Sequence, residues 1–202
     1  MLSNLLPLIL GLSAAVNAFP TLLQRQTPEV TPPKDEEFSL AMSVNGTYVS
    51  LTAVSNGTGD LVLQSGRLSV YPGTPAYINT TSSTGSDNGY TDAIVFDLTN
   101  SSTVEPGLYG LSVADLGELY GVSSDAFAVK DYQEFDFAVS DDAIYHKLTA
   151  ASQDWFACAD TINGVASIVL KWGLFGDDGS FPVGCTPTTV IQNFNVPGGA
   201  TS

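Results

Sequence analysis

The sequence predicts an all-β fold in a single domain. From Phe38 onward, short runs of alternating apolar and polar residues recur, with Gly, Pro, Asn, Asp and Ser clustered between them. No segment carries a sustained 3.6-residue apolar stripe; only Val113–Tyr120 and Thr149–Trp155 leave room for a helical turn or two. Many short strands with frequent turns imply a closed or double-layered sheet. We therefore expect a β-barrel or β-trefoil-like fold, with a β-sandwich as the alternative.

The strands follow in order. Phe38-Ser-Leu-Ala-Met-Ser-Val44 alternates at period two, Asn45-Gly46 supplies a tight turn, and Tyr48–Val54 reads as the returning strand. Asn56-Gly57 turns the chain again into Asp60–Gln64. Further strands are expected at Leu68–Tyr71, Ala76–Thr80, Ala93–Leu98, Gly107–Val113 and Ala126–Lys130. Glu134–Val139, Ala143–Thr149, Trp155–Ala159, Ala166–Trp172 and Thr188–Phe194 complete the set.

The N-terminus has a different character. Leu5, Leu6, Leu8, Ile9, Leu10 and Leu12 form an apolar run too short to span a bilayer. Val16-Asn17-Ala18 offers a small-x-small cleavage site before Phe19, so residues 1–18 read as a secretory signal peptide. Residues 19–37 hold four prolines and no periodicity, which predicts a disordered leader, with Arg25 as a candidate processing site. The β-domain is expected over 38–196. Residues 197–202 form a small, polar, flexible tail with no hydrophobic anchor signal.

Charge narrows the partners. Six basic residues against 21 acidic ones give a formal charge of -15, which disfavours nucleic acid and anionic membrane surfaces. No apolar run beyond the first predicts membrane insertion. Four acceptor sequons, at Asn45, Asn56, Asn79 and Asn100, point to a glycosylated exterior. In an oxidising compartment Cys158 and Cys185 would close one loop near the C-terminus; two buried free thiols are the alternative.

The inventory for catalysis is thin. His146, in Ala143-Ile-Tyr-His-Lys-Leu148, reads as a strand histidine sharing a face with Ile144 and Leu148. One histidine and two cysteines assemble neither a His-based zinc site nor a Cys–His dyad, and the Gly-x-Ser-x-Gly elbow is absent. Glu134 and Asp136 share a strand face opposite Phe135 and Phe137. A carboxylate-dependent glycan hydrolase would use such a pair, but any solvent-facing strand edge also shows one. Asp141-Asp142 and Asp177-Asp178 sit in turns; the segment around the second lacks the spaced ligands and closing Glu of a calcium loop. No catalytic residue, metal ligand or cofactor is predicted, and the chain reads as non-enzymatic. A carbohydrate-binding module is the alternative. Tyr71, Tyr77, Tyr90, Tyr109, Tyr120, Tyr132, Tyr145, Trp155 and Trp172 would stack on sugar rings if several shared an exposed face.

Three segments carry a family resemblance: Trp155-Phe-Ala-Cys158, then Ala166-Ser-Ile-Val-Leu-Lys-Trp-Gly173, then Gly184-Cys185 before Thr188–Gln192. They resemble the C-terminal end of the PhiA-type fungal cell wall proteins and related small secreted proteins, whose opening strand Phe38-Ser-Leu40 also matches. The resemblance implies a β-rich protein that is secreted, extracellular or wall-associated, a Cys158–Cys185 disulfide, and no catalytic residue to carry over. Cell wall polysaccharide is the partner it suggests, with the oligomeric state left open.

Overall fold

Alternation in the sequence becomes fourteen strands joined in one antiparallel sheet. The computed structural model describes residues 37–66, 73–80, 90–117, 119–148 and 152–194. The expected signal peptide, nearly all of the leader, the strand at 68–71 and the tail at 197–202 lie outside those residues. The strands are β1 (Phe38–Val44), β2 (Thr47–Ser55), β3 (Leu61–Ser65), β4 (Pro75–Thr80), β5 (Asp92–Asp97), β6 (Leu108–Ser112) and β7 (Ser123–Asp125). They continue as β8 (Phe127–Lys130), β9 (Phe137–Ser140), β10 (Ala143–His146), β11 (Gln153–Ile162), β12 (Val165–Leu174), β13 (Cys185–Pro187) and β14 (Val190–Asn193).

Turn chemistry sets the register of three hairpins. Asn45 and Gly46 (φ 51° and 78°) link Val44 to its partner Thr47, and Asn163 and Gly164 (φ 51° and 78°) link Ile162 to Val165. Asp141 and Asp142 (φ 49° and 64°) do the same between Ser140 and Ala143. Positive φ at both central residues gives the turn a twist that matches the flanking strands, and Asn, Asp and Gly tolerate it best.

The sheet closes on itself. β1 pairs with β2, β2 with β3, β3 with β8, β8 with β6, β6 with β5, β5 with β4, and β4 again with β1. A second circuit leaves β1 through β14, β10 and β9 and returns through β5. This ring-like closure is the all-β architecture that the strand pattern predicted, and it is compatible with barrel and sandwich alike. Phe38, Leu40 and Met42 of β1 sit in one core with Leu51, Leu63, Ile94, Phe96, Leu111, Phe137, Trp155, Leu170 and Trp172. Gly110 marks a close crossing: a Cβ there would lie 2.0 Å from the Tyr132 carbonyl oxygen, so only glycine lets the chain at 132–133 lie across β6.

Several boundaries differ from expectation. No α-helix occurs among the described residues: the Leu119 N–H donates to the Leu116 carbonyl, and the segment from Gln153 is already β11. The strand expected from Glu134 begins at Phe137, and the short β7 and β13 have too few residues to show a period. β13 exists because Cys185 pairs with Cys158 of β11 both in register and by a disulfide of 2.02 Å.

That bridge closes a loop of 27 residues in an oxidised unfolded chain, so Cys158→Ser should lower stability by roughly 2–5 kcal/mol. Urea unfolding under oxidising conditions checks this; an unchanged midpoint would mean the bridge adds nothing to the fold.

Candidate functional site at the strand seam

One seam in the sheet has no ladder. β10 pairs with β9 along its length but with β14 only through Ala143 and Ile191. Its other neighbour, the start of β11, shares no strand pairing with it among the described residues. The Trp155 indole N–H crosses the gap instead, donating to the Ile144 carbonyl at 2.9 Å. Side chains gather on both sides of this seam.

On the inner side lies His146, fully buried between Phe137 (ring centroids 4.9 Å apart) and Trp172 (5.3 Å), as its place beside Ile144 predicted. Its Nδ1 accepts the Leu148 N–H at 3.2 Å, which puts the ring proton on Nε2, facing Glu134 Oε1 at 2.9 Å. The other Glu134 oxygen accepts the Val113 N–H at 3.2 Å. Buried Gln153 extends the network. Its Oε1 accepts from the Trp172 indole at 2.9 Å, and its Nε2 donates to Asp115 at 3.1 Å. The Gly117 N–H and then the Gln153 amide hold the Asp115 carboxyl below its ordinary range.

Glu134 and Asp136 therefore do not form an open carboxylate pair on a strand face. They precede β9; Glu134 turns toward His146, and Asp136 is ion-paired with Lys147. Phe135 and Phe137 pack in separate clusters. Ligand atoms of Glu134, Asp136 and His146 lie within 4.8 Å of one another. The imidazole proton on Nε2 and the lysine on Asp136 leave this trio poorly suited to a cation.

On the outer side is a cavity of about 130 Å³ lined by Ile144, Tyr145, Asp154, Trp155, Thr188 and Thr189. Strand alternation explains its walls: Ile144 and His146 point inward, so Tyr145 between them points out and is 43% exposed. Asp154 stands second in β11, just ahead of the apolar run Trp155-Phe-Ala-Cys158. Burial pushes its carboxyl above the usual range, and the Trp155 N–H donated to Oδ1 at 2.8 Å offsets this only in part. Sequence reasoning passed over Asp154 and Gln153; a lone acid and amide leading the run Trp155-Phe-Ala-Cys158 were the available signal.

Other expected sites are distributed over the molecule. Asn45 and Asn100 lie exposed in turns. Asn56 accepts from the Thr58 N–H (2.9 Å) and hydroxyl (2.6 Å), closing its own sequon into a turn. Asn79 is half-buried and its amide donates to Gln133 at 2.6 Å. Asp141-Asp142 is a hairpin turn, and Asp178 accepts the Ser180 N–H within another turn. Trp155, Trp172, Tyr77 and Tyr109 are interior, whereas Tyr120 and Tyr145 are exposed.

Two stability measurements test this description. Glu134→Leu strands both the His146 and the Val113 donors and should cost about 2–4 kcal/mol, while Glu134→Gln keeps one acceptor oxygen for the two donors and should cost less, about 1–2 kcal/mol; equal losses in urea unfolding would contradict the hydrogen-bond roles. For Asp154, a carboxyl raised in the folded state binds more protons folded than unfolded, so its charge lowers stability as pH rises above the ordinary Asp value near 3.9. Asp154→Asn retains the acceptor for Trp155 and should raise the melting temperature at pH 7. The gain stays below about 1 kcal/mol because the side chain is partly hydrated, and it should vanish below about pH 3.9. A lower melting temperature at pH 7 would refute the assignment.

No protein-family model, no curated protein and no solved structure matches the chain at a significant level.

Proposed function

We propose that this chain is a non-enzymatic, secreted and N-glycosylated protein of a fungal cell wall or cell surface. The observation that carries the reading is the Cys158–Cys185 disulfide, which favours an oxidising compartment and agrees with the signal-peptide pattern at residues 1–18. The exposed turns holding Asn45 and Asn100 suit glycan attachment. Among the described residues His146 and Glu134 engage each other, Asp136 engages Lys147, and no acid besides Asp154 lines its cavity, whereas two-carboxylate hydrolysis needs a facing pair. A tryptophan sugar platform is disfavoured because both rings are interior; among the described residues a polysaccharide-binding alternative would rest on exposed rings such as Tyr48, Tyr120 and Tyr145.

Expression in a fungal host should deliver the protein to the medium or wall fraction. Endoglycosidase should lower its mass, and Asn45→Gln and Asn100→Gln should each remove one glycan step on a denaturing gel. Recovery only from the cell interior, without a glycosidase shift, would overturn the reading.

A further inference from the structure

The seam cavity has a distinct chemical character. Asp154 spends one oxygen on the Trp155 N–H; the other has no protein partner among the described residues. No basic residue among the described ones stands beside it. The described lysines are all committed elsewhere: Lys130 to Glu105, Lys147 to Asp136, and Lys171 to Asp125 and Asp160. A half-buried carboxylate without a counter-charge is an uncommon arrangement, because desolvation of the ion is offset by nothing nearby.

The remaining walls favour one ligand type. Tyr145 lines the same cavity as Asp154 and is 43% exposed, and an aromatic ring face attracts a cation. The Thr188 hydroxyl already donates to the Ser43 carbonyl at 2.7 Å, so toward the cavity its oxygen serves as an acceptor. A carboxylate, a ring and a hydroxyl acceptor ask for a ligand rich in donors. At about 130 Å³ the space is close to that of a cavity that holds one benzene-sized molecule. The formal charge of -15 draws cations toward the surface and repels anions.

We propose that the cavity between β10 and β11 is a binding site for a primary ammonium group on a small ligand or side chain, with Asp154 as its counter-ion and Tyr145 as its aromatic wall. The site is independent of where the protein resides, so its failure and that of the secreted surface reading are separate outcomes.

The test is a matched pair of probes on the purified, disulfide-bonded protein, followed by amide NMR shifts at pH 6.5 and constant ionic strength. Propylammonium should produce saturable shifts centred on Tyr145, Asp154, Trp155 and Thr189. 1-Propanol, which has the same carbon chain without the charge, should bind at least tenfold more weakly. Asp154→Asn should reduce propylammonium affinity at least tenfold while leaving the rest of the spectrum folded. Tyr145→Ser, at an exposed position, should weaken it severalfold. Equal binding of the two probes, unaltered affinity in Asp154→Asn, or shifts spread over the acidic surface without saturation would each overturn the proposal.

Discussion

Strand β1 is buried along most of its length, so its backbone N–H and C=O groups have little water to turn to and must find strand partners. They do so on both edges: β2 and then β4 on one side, β14 on the other. This requirement organises the molecule. Because β1 needs three neighbours, the sheet branches there, and each branch returns through β5 to make a closed circuit. Closure in turn removes most of the open strand edges that an isolated sheet of this size would present. Phe38, Leu40 and Met42 can then be packed from all sides.

The seam between β10 and β11 is where this economy of pairing gives out. A single indole hydrogen bond from Trp155 takes the place of a ladder, and the polar groups left over are divided between two environments. The inner groups satisfy one another in two sets: His146 with Glu134, and buried Gln153 with the Trp172 indole and, toward the surface, with the exposed Asp115. Inside a protein such a network is stable only when every member is matched, and a closed network has no free group for chemistry. Those facing outward, above all Asp154, are not matched. The proposed ammonium site lies on this unmatched, outer side.

Much of this was legible in the sequence. Alternation gave the strands, and Asn45-Gly46 gave a hairpin with its register, because a two-residue turn with positive φ has few sequence solutions. The interior place of His146 followed from its spacing to Ile144. What could not be read was which strands meet. Glu134 seemed to share a face with Asp136, yet it reaches His146 across a non-local contact, and no local period encodes that. Trp155 and Trp172 read first as core rings with a sugar platform as the alternative, and their burial and mutual packing at 4.8 Å put them in the core. The short β13 carries no pattern of its own, since its partner Cys158 and the disulfide define it.

The pairing of β1 with β14 also has a consequence in time. Ser39 meets Asn193 across 154 residues, so the first strand of the domain to be synthesised waits for the last. Until β14 emerges, one edge of β1 stays open and the second circuit stays incomplete. Contacts of such sequence separation slow folding, because the chain must close a long loop before any strand pairing rewards it. The nascent protein therefore passes through an interval as an unclosed sheet with a sticky edge. A net charge of -15 sets neighbouring chains repelling one another, which opposes edge-to-edge pairing in that interval.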